Sequence, residues 1–525
     1  MAKRWWTLVV VCASTFMLLL DATIVTVVLP QIQSGLDSSF ADAQWVVDAY
    51  SLSLAAMLLV GGSLADRYGY RKLFMVGLAV FTVSSLLCGI ASSPLMLILS
   101  RAAQGIGGSV MYATSLALLA RTFTGKERGV AFGVWGAVTG LASGLGPVFG
   151  GLIAANISWR GIFLINVPLG IIAILVTLWK VDESPARGRL KLDWPGFVLF
   201  TSGLVALIYG LIRAGETEWG NTDVVLWLGA AAALLITFLI VELRSAEPLF
   251  DLSLFRTPTF VGGSIAAFTM NGSLFAMLLY LVLYLQNGLG YSVLESSVRL
   301  LVISVCALVA STVAGRLSSK LPVKWLIGPG LLFVGIGLLL MSGNDASSSW
   351  THLIPGFIVA GIGSGVVNPP LASTAVGVVT PDRSGTASGI NITFRQVGMA
   401  ASIPILGSIF TASLHDDVLR NLSGIPELAS SAPGVAAAVE HGDVSGLGEK
   451  VPASMRDEVA TALHSGYAEA LNDLLIITGV LALAGAVFAF FLIRTKDFLA
   501  AKPPPQDAGD AGDAGVEAGE PQPVK

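Results

Sequence analysis

"GIGGSV", residues 105–110, returns as "GIGSGV" at residues 361–366, 256 positions further along the chain. "GVAFG" from Gly129 is echoed by "GTASG" from Gly385 at the same offset. A fainter echo, at an offset of 253, sets Gly62 and Leu64 of "GSLADR" beside Gly315 and Leu317 of "GRLSSK". Two separate matches at one spacing point to an internal duplication, since chance recurrences in glycine-rich helices share no common register.

The copies are embedded in apolar sequence. Of the 525 residues, 54% are hydrophobic and 12% are charged, which is the composition of a polytopic all-α membrane protein. Windows of about 20 apolar residues, enough to cross a hydrocarbon core roughly 30 Å thick, recur along nearly the whole chain. Fourteen are expected, near residues 8–29, 44–64, 73–92, 96–120, 129–155, 161–180, 195–213, 223–243, 259–285, 293–314, 325–342, 352–376, 386–411 and 471–493. The first follows Lys3 and Arg4, as a signal peptide would, but it exceeds a typical h-region and lacks a small-residue cleavage site, so it reads as a retained helix.

The duplication pairs span 4 with span 12 and span 5 with span 13. Two six-helix halves follow, residues 1–180 and 258–498, separated by residues 181–257, a charged connector ("VDESPARGRLKLDW", 181–194) with two extra spans. Residues 412–470 read as a long loop on the far side from the N-terminus, with helical spacing in "RDEVATALHSGYAEAL". The tail 499–525, rich in Pro, Gly and acids, is expected to be disordered. Duplicated halves able to rock around a central site form a transporter architecture.

Basic residues set the orientation. With the N-terminus in the cytoplasm, about 22 Lys and Arg fall on the inner side, against six (Arg160, Arg213, Arg299, Arg420, Lys450 and Arg456) on the outer. This positive-inside bias requires an even number of spans and both termini inside. A net charge of -4 sorted across a bilayer says little about partners, and nothing suggests nucleic acid. Cys12, Cys88 and Cys306 lie in apolar spans without metal-ligand spacing, so no metal site is expected. The chain has no G-x-x-x-x-G-K-[ST] stretch and no catalytic constellation, so neither ATP hydrolysis nor enzymatic chemistry is expected, and no cofactor.

Within span 1, "LLLDATIVTVVLP" (residues 18–30) keeps one carboxylate, Asp21, among Leu, Ile, Val and Thr. An acid at such depth is expensive and marks a functional site. Arg101, in "RAAQGIGG" of span 4, poses the same problem with opposite charge, and each is the natural partner of the other. A carboxylate in a partly hydrated cavity can alternate between two charge forms, as proton coupling requires. Alternatively, Asp21 serves helix packing and Arg101 snorkels from its helix end.

These stretches resemble the major facilitator superfamily, and within it the 14-span drug:proton antiporter branch, over essentially everything up to residue 498. "GSLADRYGYRK" (62–72) is similar to the loop signature between spans 2 and 3. The resemblance implies that Gly62, Asp66, Arg67, Gly69 and Arg71 bias the inward-open against the outward-open state. Tyr70 stands where a basic residue is usual. "GLASGLGPVFGG" (140–151) resembles the antiporter motif of span 5, with Gly140, Gly144, Gly146, Gly150 and Gly151 permitting close helix contact and Pro147 allowing a bend. "WRGIFLINVPLG" (159–170) also resembles the branch and reads as structural.

The resemblance implies proton-coupled export of hydrophobic or amphipathic small molecules by a monomer in the cytoplasmic membrane, with Asp21 and Arg101 as the proton-coupling pair. A proton-coupled importer, or a non-transporting receptor on the same scaffold, is the alternative. Asn271, Tyr280 and Arg395 are candidates for a substrate cavity, although packing explains them equally well. Asp48 fits the proton route or, preferably, the membrane interface, and Glu295 with Arg299 fits a surface ion pair.

Overall fold

A computed structural model describes residues 3–498 apart from 124, 184–192, 218, 246–247, 249, 319–320, 380–383, 424, 426–427, 430 and 441–455. The described residues are almost entirely helical, and helices occupy all fourteen expected windows. They are α1 (Lys3–Leu36), α2 (Phe40–Tyr68), α3 (Tyr70–Gly89), α4 (Pro94–Thr122), α5 (Gly125–Asn156), α6 (Asn166–Lys180), α7 (Trp194–Glu216), α8 (Thr222–Arg244), α9 (Pro258–Gly288), α10 (Val293–Leu317), α11 (Lys324–Leu340), α12 (Ile354–Gly377), α13 (Ser384–Ser423) and α14 (Arg456–Leu492). Among the described residues, ten helices meet a strict length and hydropathy standard for crossing a membrane. The loop expected at 412–470 is largely helix: α13 runs on to Ser423, and α14 starts at Arg456, well before the apolar window. Both helices carry polar residues beyond their apolar windows without a break.

The chain punctuates these helices locally. Ser39 caps α2, and Asp42 reaches back to the Ser39 backbone, a reciprocal capping box repeated by Ser292 and Glu295 on α10. Ser93 caps α4 with Pro94 at its first position. Gly69, at φ 98°, turns the chain from α2 into α3 within one residue, a conformation an L side chain rarely adopts.

Side-chain ties define two faces. On the face bearing the N-terminus, Lys3 meets Asp182 and Arg4 meets Glu127, while Thr259 binds Asp497 and the carbonyl of Arg494. On the far face, Arg160 donates to the Ala91 carbonyl, and Asn472 accepts from the amides of Gly343 and Asn344.

The duplication is visible as packing. In the first half α2 lies on α4, α3 on α4, α1 on α5 and α3 on α6; in the second, α10 lies on α12, α11 on α12, α9 on α13 and α11 on α14. The repeated glycines occupy equivalent contacts. A Cβ on Gly107 would come within 2.4 Å of the Phe81 nitrogen, and one on Gly363 within 2.6 Å of the Val334 nitrogen. Gly105 sits on Tyr50 and Ser53 of α2, as Gly361 sits on Ile303 and Cys306 of α10. The sequence echo therefore records helix crossings that admit no side chain.

The inserted helices α7 and α8 pack on each other, Tyr209 lying 4.8 Å from Trp227, and α7 also lies on α2 and α13. They flank the seam between the halves. The halves also meet at Gln286, which donates to the Val27 carbonyl at 2.9 Å, and at Gly151, where a Cβ would press on Ser297 and Leu294. Both contacts lie toward the far face.

Gly107→Leu and Gly363→Leu should each lower thermal stability, by about 1–3 kcal/mol or more, since backbone rather than a flexible side chain blocks the added atoms. Gly229→Leu, which meets nothing within 4 Å, should leave the melting temperature in detergent unchanged.

Candidate functional site

Asp21 and Arg101 meet. Asp21 is 1% exposed, in the middle of α1, and Arg101 is likewise 1% exposed on α4, so the arginine does not snorkel to a helix end. Arg101 Nη1 donates to Asp21 Oδ2 at 2.5 Å. The other carboxylate oxygen, Oδ1, accepts from Gln104 Nε2 at 2.9 Å and from Asn166 Nδ2 at 3.0 Å. Gln104 returns its own oxygen to Arg101 Nη1 at 2.8 Å. Ser85 Oγ accepts from Gln104 and Asn166 and donates to the Phe163 carbonyl.

Four helices supply this network: α1 the acid, α4 the arginine and glutamine, α3 the serine and α6 the asparagine. Arg101 and Gln104 are three apart and share one side of α4. Arg101 Nε donates to the Val46 carbonyl of α2, and its guanidinium lies 4.1 Å from the Tyr50 ring centroid. A cation on an aromatic face away from water gains up to about 2 kcal/mol. Tyr50 in turn donates to the Leu18 carbonyl, next to the acid's own turn.

Such a pair is stable only while whole. Taking two charges out of water costs several kcal/mol per ion, repaid here by direct contact and by hydrogen bonds on both carboxylate oxygens. The partners are not equivalent. Arginine keeps its proton under all ordinary conditions, whereas a carboxylate can take one up. Only Asp21 can change the charge of the site.

The glycines of α5 set the acid's helix in place. A Cβ on Gly146 would fall 1.8 Å from Thr23 Oγ1, and one on Gly150 2.7 Å from Ile24 Cγ1, so α5 lies directly on the turn after Asp21. Gly151 faces α10 instead and joins the two halves. The surroundings of Gly140, Gly144 and Pro147, and of Gly62, Asp66 and Arg67, lie outside the described residues. Arg71 clasps the end of α6, donating from Nη2 to the Leu178 carbonyl at 2.6 Å, while its amide donates to Glu183.

Each of the three residues proposed for a substrate cavity has a hydrogen-bond partner of its own. Asn271 donates to the Ala267 carbonyl of its own helix, Tyr280 donates to the Ile403 carbonyl, and Arg395 donates to Asn368 at 3.0 Å. Two expectations need correction. Asp48, expected at an exposed membrane interface, is completely buried, because neighbouring helices cover α2. The carboxylate of Glu295 is occupied with Ser292, and Arg299 donates to the Glu295 carbonyl oxygen and stacks on Tyr291 and Trp350.

Gln104 and Asn166, which complete the acid's coordination, were not singled out from the sequence. Gln104 stands inside "RAAQG", one turn from the arginine, where its position is the signal. Asn166 stands in "LINVP", an amide in an otherwise apolar helix start.

The fold and the site together define a multi-pass helical protein of duplicated halves, with a buried charge pair in the first. The sequence profile of the Major Facilitator Superfamily matches residues 11–403, and the chain belongs to that superfamily. It is 31% identical to the tetracenomycin C resistance and export protein of Streptomyces glaucescens over 94% of this chain and 92% of that protein. It is 36% identical to the probable actinorhodin transporter of Streptomyces coelicolor, over 80% of this chain and 76% of that one. Over 94% of both chains it is 28% identical to the multidrug transporter protein MdtP of Bacillus subtilis. Among solved structures, a bacterial homologue of the human lysosomal transporter Spinster, inward-facing and occupied, shares the fold with a TM-score of 0.63 at 20% identity, over 95% of this chain and 99% of that one.

Asp21→Leu should destabilise the protein by about 3–5 kcal/mol, because it strands a permanent buried cation. Arg101→Leu should cost less, because the acid left behind can neutralise itself. Thermal unfolding of both variants in one detergent checks the order, which the opposite ranking would refute.

Proposed function

We propose that this chain exports hydrophobic or amphipathic small molecules, of the drug or antibiotic kind, in exchange for protons across the cytoplasmic membrane. The observation that carries the reading is the fully coordinated Asp21–Arg101 pair in a superfamily member whose relatives are named for antibiotic and multidrug export. In this reading residues 1–180 and 258–498 are the rocking halves, α7 and α8 are an insertion, and both termini face the cytoplasm. The monomer is the working unit.

Protonation of Asp21 removes the negative partner of Arg101. The guanidinium keeps the Val46 carbonyl, the Gln104 oxygen and the Tyr50 ring, while Gln104 and Asn166 lose a charged acceptor. Because those contacts tie α1 to α3, α4 and α6, the proton changes how tightly the first helix is held in its half. Export follows if substrate stabilises the ionised form and the proton the neutral one in opposite orientations of the halves. Nothing more than this difference in affinity is required.

Asp21→Asn, which keeps the shape and most hydrogen bonds, should abolish proton-driven efflux while the protein still reaches the membrane. An efflux panel in a pump-deficient host, with cationic dyes and neutral antibiotics and with and without an uncoupler, reads the result. Undiminished resistance in the variant at normal expression would overturn the proposal.

A further inference from the structure

Every member of the Asp21 network belongs to the first half, and among the described residues none of its hydrogen bonds crosses the seam between halves. A second buried acid does lie at the seam. Asp48 is 0% exposed on α2, and among the described residues neither of its carboxylate oxygens has a hydrogen-bond partner. Gln44, one turn earlier on the same face, fills the space left by Gly407 of α13: a Cβ there would lie 1.8 Å from Gln44 Nε2 and 3.1 Å from the Tyr280 hydroxyl. Tyr280, from α9, reaches past this point to the Ile403 carbonyl. Further along the same face of α2, the Ala55 carbonyl accepts from Thr393 of α13. Asp48 therefore sits between two contacts joining the first half to the second.

An ionised carboxylate is untenable in such a place. Its neighbours offer no compensating charge among the described residues. From α9, Tyr280 reaches this level and is committed to the Ile403 carbonyl; between Thr393 and Gly407, α13 carries Arg395, which donates to Asn368 of α12, and the buried apolar Ala400, Ala401 and Ile403. Arg101 of α4 is committed to Asp21 and the Val46 carbonyl, Tyr50 to the Leu18 carbonyl of α1, and from α7 Tyr209 lies against Trp45. An isolated buried charge costs far more than a side chain can recover. Were the halves to part on the far face, water would reach the acid and solvate its ionised form.

We propose that Asp48 is a second proton-binding site, distinct from Asp21, and that closing the seam on the far face takes one proton from that side. The step balances simply: a proton leaves far-side water, one O–H bond forms on the Asp48 carboxylate, and its charge goes from -1 to zero as α2 packs against α9 and α13. Opening reverses it. This rests on the antiport reading only for the sense of the cycle, in which an outside proton is the one consumed on closure. The switch itself needs no substrate.

The test uses the full chain in lipid nanodiscs, with Cys12, Cys88 and Cys306 replaced by serine and spin labels at Ser34 and Asn421, exposed far-face positions in opposite halves. For a one-proton switch, the closed-to-open ratio seen in the distance distribution falls by up to tenfold per pH unit as pH rises above the ordinary carboxylate range. Asp48→Asn, nearly the same size and always neutral, should lose that dependence and favour the closed distance at every pH, whereas Asp48→Glu should retain a slope. Asp21→Asn should retain it as well. A wild-type protein with no slope between pH 5 and pH 8, or a slope preserved in Asp48→Asn, would overturn the proposal. Efflux indifferent to a proton gradient, with the Asp48-dependent slope intact, would instead sink only the antiport reading.

Discussion

The structure depends on keeping a carboxylate and a guanidinium in contact where no water is at hand. A bilayer offers polar groups no outside partner, so each must be satisfied from within the protein. Meeting that demand for Asp21 and Arg101 recruits four helices and an aromatic ring, and fixes the distances among α1, α3, α4 and α6. Gly146 and Gly150 then allow α5 to lie against α1 just past the acid. Charge and close packing are parts of one constraint: the helices must approach closely enough for the polar groups to find each other.

Much of the architecture was legible because membrane spans announce themselves by length and hydropathy, and because a duplicated fold repeats its tightest contacts. Gly105 and Gly107 match Gly361 and Gly363 since each pair meets a neighbouring helix at almost no distance, and no other residue fits. Helix ends were less legible. Past residue 411 hydropathy fades, yet α13 continues to Ser423, since backbone bonding extends a helix into water as readily as through lipid.

The site was partly legible. Asp21 and Arg101 stand out as charges in apolar sequence and imply each other. Gln104 and Asn166 carry no charge, so nothing in composition separates them from amides that simply satisfy their own helix, as Asn271 does. Asp48 was misplaced for a related reason. Eight residues into α2 is shallow by helix rise alone, about 12 Å, and only the neighbours that cover it reveal that it is shut away from solvent.

The two halves also differ in one respect that bears on their mechanics. Where α1 is a single α-helix with Pro30 inside it, its counterpart α9 widens twice into π-helix, at Asn271–Phe275 and Tyr284–Gly288. Each widened turn accommodates an additional residue and so swings everything beyond it by about 100° relative to an unbroken α-helix. The grip of Tyr280 on Ile403 thus depends on an irregularity of the backbone a turn earlier, not on the tyrosine alone. The duplicated lobes are alike in blueprint but wound differently at their innermost rod.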